Sequence, residues 1–226
     1  MKKHIVVLTG AGISQESGIN TFRDSNGLWE NHDIRDVASP EGFIRNPELV
    51  LNFYNLRRRQ LAEVQSNAAH FFLAELEAHY DITIITQNVD DLHERAGSSN
   101  IIHLHGELKK SRSIAQTDTI FDQPGDILLG DLAPDGHQLR PHIVWFGEAV
   151  PEMSCAIEVT RKADIFLIIG TSMQVYPAAG LIDYVPPGNP IYVVDPNEVI
   201  LYSGNNAIHI QEKAVKGCEK LRKILL

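Results

Sequence analysis

The chain has 226 residues, 43% hydrophobic and 22% charged, with a formal net charge of −9. That length carries one domain with room for a small lobe; the acidic balance argues against a nucleic-acid surface, and no apolar stretch is long enough to span a bilayer. Two cysteines, Cys155 and Cys218, lack CxxC spacing, which argues against a disulfide scaffold, and Met1-Lys2-Lys3 leads into a strand rather than a signal peptide's apolar region, so a cytoplasmic enzyme is expected.

Taken in chain order, Ile5–Leu8 is the first of several short Ile/Val-rich runs; the others are Ile82–Ile85, Ile101–Ile102, Ile165–Ile169 and Ile191–Val194. They do not alternate with polar residues, as expected of strands buried on both faces of a parallel sheet. Between them, Asn46-Pro47 opens a helix with apolar positions Leu49, Val50, Phe53 and Leu56. Further helices are expected after Asn67, over Met153–Arg161 and from about Val215 to Leu226. The alternation predicts an α/β fold, a doubly wound parallel-sheet, Rossmann-like domain. Asn20 to Asn46 reads as a loop with short helical pieces over the site. Residues 109–140, irregular and rich in Asp, Gly and Pro, read as a small inserted lobe, since a structureless loop of that length is uncommon.

Three segments place polar groups at the carboxyl ends of strands, where open α/β sheets bind ligands. The first is Gly10-Ala11-Gly12-Ile13-Ser14, whose glycines let the backbone approach a pyrophosphate. It is neither a dehydrogenase fingerprint, because Gln15 stands at the third glycine, nor a P-loop, because no G-K-[S/T] follows. The others are Thr86-Gln87-Asn88-Val89-Asp90 and His103-Leu104-His105-Gly106.

Six blocks in this order resemble the signature of the sirtuins, the NAD-dependent protein deacylases: Gly10–Ser14 with Ser17-Gly18-Ile19, Phe22-Arg23 with Gly27-Leu28-Trp29, Gln87–Asp90, His103–Gly106, Val144-Trp145-Phe146-Gly147-Glu148, and Gly170-Thr171-Ser172. The resemblance implies NAD as cofactor and acylated protein lysines as substrates. The products are nicotinamide, free lysine and acylated ADP-ribose. It also implies a general base, matched by His105; a histidine of pKa near ~6.5 suits that task. With ten histidines in the chain, position in the motif is what singles His105 out, and His103 reads as structural. The cofactor set implied is Gly10, Ala11, Gly12, Ser14, Thr21, Phe22, Arg23, Trp29, Gln87, Asn88, Asp90, Gly170, Thr171, Ser172, Asp195, Asn197 and Ala214. Asn88 and Asp90 would otherwise serve to cap a helix starting near Asp91. Asp195 departs from the family's usual asparagine, but a carboxylate there can bind ribose hydroxyls. Val144, Phe146 and Gly147 are expected on a strand, Val144 to Glu148, that pairs with the substrate peptide opposite Val175–Pro177. Of Trp145 and Phe146, one is expected in the core.

Tyr54 and Arg57 stand three apart on one helix face, and a phenol beside a guanidinium receives a carboxylate well. The alternative is an amphipathic helix with solvated arginines. The Tyr-x-x-Arg spacing, with Ala38 as a small pocket residue, resembles the bacterial class III sirtuins that remove succinyl and malonyl groups. Sirtuins usually hold zinc through four lobe cysteines. Here Ser113, Gln116 and Pro134–His137 occupy those neighbourhoods, so a lobe without metal is expected. Two other readings share the scaffold: an NAD-dependent ADP-ribosyltransferase, which has no use for Tyr54 and Arg57, and a sensor, which has no use for His105. No nucleic-acid or membrane partner is expected, and a monomer is.

Overall fold

A computed structural model describes residues 2–19, 28–29, 32–115, 118–201 and 207–226. Strand β1 (His4–Thr9) runs through the glycine loop into the short helix α1 (Gly12–Gln15). A small hairpin, β2 (Leu28–Trp29) and β3 (His32–Asp33), precedes α2 (Ile34–Val37) and α3 (Pro40–Arg45). Asp33 and Ser39 cap these two helices, their side chains accepting from the Arg35 and Gly42 N–H groups. Helices α4 (Pro47–Glu63) and α5 (Ala68–Leu76) follow, each capped by the asparagine expected, Asn46 and Asn67. Then come β4 (Asp81–Thr86), α6 (Leu92–Arg95), β5 (Ile101–His103), β6 (Gly106–Ser113), β7 (Ile120–Asp122) and β8 (Leu139–Ile143). Helix α7 (Met153–Thr160), β9 (Ile165–Ile169), a 3-10 helix (Ala178–Tyr184), β10 (Ile191–Val194), β11 (Ala207–Ile210) and α8 (Ala214–Leu225) complete the order.

Six strands form one parallel sheet in the order β5-β4-β1-β9-β10-β11. Counted outward from β1 this is the 3-2-1-4-5-6 order of Rossmann-type folds, with the direction of winding reversing between β1 and β9. The unbroken apolar runs have a direct cause. Val6, Leu8, Phe166 and Ile168 join one apolar layer, while Ile5, Val7, Leu167 and Ile169 join the layer on the opposite face. A third cluster, including Val37, Phe53, Tyr54, Leu108, Ile143 and Trp145, binds α2, α4 and the lobe strands together. No helix among the described residues is long and apolar enough to cross a membrane.

The stretch expected as a lobe carries strands, and one expectation, a strand over Val144 to Glu148, is corrected. The irregular stretch 109–140 contains ordered structure: β6, β7 and β8 form an antiparallel sheet with β6 central, reaching back to Gly106 and on to Ile143. It is docked on α4, where Asn55 exchanges two hydrogen bonds with the Ile127 backbone (2.8 and 2.9 Å) and Arg58 donates to the Leu108 carbonyl at 2.9 Å. And Val144 to Glu148 is not a strand. β8 stops at Ile143 because the chain turns: the Glu148 N–H donates to the Trp145 carbonyl at 3.0 Å, and Gly147 takes φ +93°, a value that favours glycine.

Candidate functional site

The loops leaving β1 and β9 meet at the switch point. Gly10 N–H donates to the Ile169 carbonyl (3.1 Å) and Gly12 N–H to the Gly170 carbonyl (2.9 Å). A Cβ on Gly10 would lie 2.7 Å from the Gly170 oxygen, and one on Gly12 would lie 2.7 Å from Gly170 Cα. Gly170 itself sits at φ +66°. The glycines of the two loops therefore interlock, a packing demand separate from any ligand. Gly12→Ala should cost about 1–3 kcal/mol of unfolding free energy through overpacked backbone, read as a lower denaturant midpoint; an unchanged midpoint would contradict the interlock.

Below these loops opens a cavity of about 510 Å³. Its lining brings together nearly every candidate that the structure describes. Gly10, Ala11, Gly12 and Ser14 come from the β1–α1 turn, and Gln87, Asn88, Asp90 and His105 from the ends of β4 and β5. Gly170, Thr171 and Ser172 follow β9, Asp195 and Asn197 follow β10, and Ala214 starts α8. Ala38, Tyr54, Arg57, Val144, Phe146 and Gly147 line the same cavity, with Val175, Tyr176 and Pro177. Thr21, Phe22 and Arg23 lie outside the described residues, as does the Trp29 side chain.

The cavity floor is a buried polar network. His70 Nδ1 accepts from the Asn67 N–H (3.3 Å), completing the α5 capping box, so His70 Nε2 carries the proton and faces Ser14 Oγ at 3.4 Å. Asn88 Nδ2 also donates to Ser14 Oγ (3.2 Å), which leaves the serine proton for Asp90 Oδ2 at 2.9 Å. Burial pushes the Asp90 carboxyl up to about 6, against the hydrogen bonds from Leu92 N–H and Ser14. Burial pulls His70 down to about 4. Asp90 also accepts the Leu92 N–H at 3.2 Å at the start of α6, whose N-cap position is Asp91, so one side chain meets both the helix start and the cavity. His70 was not among the sequence candidates. Its signal was the Asn67-x-x-His70 spacing, which reads only as a helix start until the fold brings it to Ser14.

His105 Nδ1 donates to the Gln87 carbonyl at 2.9 Å, which places the acceptor lone pair on Nε2. Burial lowers its pKa, partly offset by that backbone bond, so the ring is neutral at pH 7. His103 makes the opposite bargain. Burial would neutralise it, but Glu94, 2.7 Å from its Nε2, together with Glu107 and the Asn88 carbonyl, holds its pKa above the ordinary value. Gln87 Nε2 ties the two halves of the sheet by donating to Thr171 Oγ1 at 3.0 Å. The Asp195 carboxylate accepts the Asn197 N–H at 2.9 Å, fixing the turn after β10.

At Tyr54 the lining changes character. The phenol is fully buried, its oxygen 3.1 Å from Trp145 Nε1, and burial raises its pKa above the ordinary tyrosine value. Arg57 reaches the cavity after donating to the Phe53 carbonyl (3.1 Å), its guanidinium carbon 3.5 Å from the Phe53 ring centre. Trp145 is the core residue of its pair at 3% exposure, whereas Phe146 is 53% exposed.

The lobe does not fit a zinc ion. Among the described residues no group of three or more His, Cys, Asp or Glu is placed to hold a metal. Ser113 instead accepts the Ala115 N–H at 3.0 Å and bonds Asp135, while Asp135 also accepts the His137 N–H at 3.0 Å. Gln116 lies outside the described residues. Prolonged treatment with a zinc chelator should leave both Tm and activity unchanged; stoichiometric zinc in the purified protein, or a chelator-induced fall in Tm, would contradict a lobe held by packing alone.

A matrix of donors and acceptors around a mainly apolar cavity suits a dinucleotide beside an acyl chain, and comparison with known proteins agrees. Residues 10–177 match the Sir2 family model. A Bacteroides thetaiotaomicron protein named NAD-dependent protein deacylase is 54% identical over 231 residues, covering 99% of this chain and 98% of its own. A Helicobacter pylori protein of the same name is 55% identical over 224 residues, with 99% and 98% covered. The crystal structure of a Sir2 homologue in complex with NAD superposes with TM-score 0.87 at 38% identity, covering 100% of this chain and 91% of that one. Fold, switch-point cavity and relatives agree, and the chain belongs to the Sir2 family.

Proposed function

We propose that this NAD-dependent deacylase removes succinyl and malonyl groups from protein lysines, with acetyl-lysine as a secondary substrate. The observation that carries the acyl preference is a single one: Tyr54 and Arg57 line the same cavity as His105. A guanidinium beside a phenol recognises a carboxylate through charge-assisted hydrogen bonds, and an acetyl group offers nothing to either.

NAD, when bound, supplies an electrophilic ribose carbon with nicotinamide as leaving group. The residues assigned to hold it are the β1–α1 turn for the pyrophosphate, Asn88 and Asp90 for the carboxamide and ribose, and Gln87 for ribose orientation. Thr171 and Ser172 serve the adenosine half, Asp195 and Asn197 its ribose, and Ala214 the adenine face. Thr21, Phe22, Arg23 and Trp29 belong to the same proposed set. His105 Nε2 takes the proton from a ribose hydroxyl, with Nδ1 anchored on the Gln87 carbonyl. Asp90, kept buried and bonded to Ser14, fixes Asn88 through the shared hydroxyl. The backbone of Val144 to Gly147, facing Val175–Pro177, receives the acylated peptide in extended form, although it is itself a turn. The same proposal has the protein acting as a monomer in a reducing, cytoplasmic setting; its cysteines are unpaired, Cys155 exposed and Cys218 buried.

NAD labelled in the adenylate half separates this from ADP-ribosyl transfer. With a succinyl-lysine peptide the label is expected in O-succinyl-ADP-ribose, one per lysine freed. Label fixed to protein, with the peptide untouched, would favour the transferase.

A further inference from the structure

Behind Tyr54 lies a buried assembly centred on Trp145. Trp145 is the donor to the Tyr54 hydroxyl, at 3.1 Å and wholly buried. Its ring is held on two sides: the Phe43 ring centre lies 5.3 Å away, and the Arg140 guanidinium carbon stands 3.3 Å from the ring centre. One carboxylate fixes the rest. Glu148 accepts from Arg140 at 2.6 and 3.1 Å, from Arg112 at 3.3 Å and from the Trp145 backbone N–H at 2.8 Å. Both arginines are buried and also reach the Ile143 carbonyl, at 2.9 Å for Arg140 and 3.3 Å for Arg112. The indole is therefore clamped through its backbone and through its face by a single ionic cluster joining β6, β8 and the turn.

We infer that Trp145 is a specificity-determining positioning residue: its indole N–H orients the Tyr54 hydroxyl so that the phenol donates to an acidic acyl group. A phenol oxygen has one proton and accepts best in the ring plane, on the side away from that proton. With the indole N–H donating to the phenol oxygen at 3.1 Å, the phenol proton is turned away from Trp145. An ionised carboxylate is acceptor-only, so it gains from a hydroxyl fixed as donor. An acetyl methyl gains nothing. Arg140 stacked on the indole, and Glu148 behind it, keep this donor from turning away. The inference rests on the proposal that Tyr54 and Arg57 receive an acyl carboxylate.

Trp145→Phe keeps an aromatic ring between Phe43 and Arg140 but removes the N–H together with the five-membered part of the indole, so its Tm is measured alongside to separate lost packing from the lost donor. The experiment measures kcat and KM separately for succinyl-lysine and acetyl-lysine peptides in wild type, Trp145→Phe, Tyr54→Phe, the double variant and Arg57→Met. Trp145→Phe is expected to raise the ratio of succinyl KM to acetyl KM about tenfold, the scale of one lost hydrogen bond. In the Tyr54→Phe background the second substitution should add nothing, because the indole acts only through the phenol. Equal losses on both peptides, no loss on either, or additive losses in the double variant would overturn the inference while Arg57→Met still discriminates. If Arg57→Met fails to discriminate, the carboxylate proposal falls first and the role of Trp145 falls with it.

Discussion

Replacing His105 with alanine is expected to lower kcat for deacylation by about 10²–10⁴-fold, the range for loss of a positioned general base. The structure gives the reason in one bond. The Nδ1–H is committed to the Gln87 carbonyl, so the only ring nitrogen able to take a proton is Nε2, and His105 lines the cavity. Folding should survive, since the ring makes one backbone bond and Gln87 keeps its own bond to Thr171. The sign of the pH dependence follows from burial. A base whose pKa is lowered stays neutral to more acid pH than a free histidine, so the acid limb of kcat/KM should fall below the ordinary histidine value. Asp90, pushed up to about 6, titrates in the same region. Wild type should therefore lose activity through two groups on acidification, while the residual activity of the His105 variant follows Asp90 alone. Retention of more than about a tenth of wild-type kcat would remove His105 from the role of base.

The second large effect is selective rather than general. Arg57→Met should reduce kcat/KM for succinyl-lysine by one to three orders of magnitude, on the order of the 2–5 kcal/mol lost when a buried charge loses its hydrogen-bonded partner. Acetyl-lysine should be consumed within a few-fold of the wild-type rate, because methionine keeps the apolar bulk over Phe53 and the acetyl group carries no charge to leave unpaired. Arg57→Lys should fall between the two, since an ammonium replaces the planar fork by a point charge. Measured side by side on peptides of one sequence, equal losses on both acyl groups would mean that Arg57 supports α4 and nothing more.

The central strands were legible because burial on both faces writes an unbroken apolar run, as in Ile165–Ile169, where every residue is buried. β11 left no such mark: among the described residues it pairs with β10 alone, at the sheet edge, and Ile208 and His209 are exposed. The lobe sheet was hidden for a different reason. β6 carries Lys109, Lys110 and Arg112, and what holds the lobe, Arg58 on the Leu108 carbonyl and Asn55 on the Ile127 backbone, lies far away in sequence on α4. Helix starts at Pro47 and Asn67 were readable because caps are local chemistry. In the site, the motif residues that the structure describes do line one cavity, whereas the contacts of His70 with Ser14, of the Trp145 indole with Tyr54 and of Glu148 with the Trp145 N–H are ones that only the fold creates. Val144 to Glu148, expected as a strand because a peptide would pair with it, is a turn. The Glu148 carboxylate on the Trp145 N–H, and Gly147 at positive φ, hold that turn.

The most direct measurement is an internal competition: equimolar succinyl-lysine and acetyl-lysine peptides of one sequence, in one tube with wild-type protein and NAD, followed by mass spectrometry. The ratio of initial rates is the ratio of kcat/KM values, free of differences in enzyme concentration. Faster disappearance of the succinyl peptide is the result expected if Tyr54 and Arg57 receive a carboxylate. Faster disappearance of the acetyl peptide would contradict it, leaving the deacylase chemistry of the family intact and returning Arg57 to a purely structural place on α4.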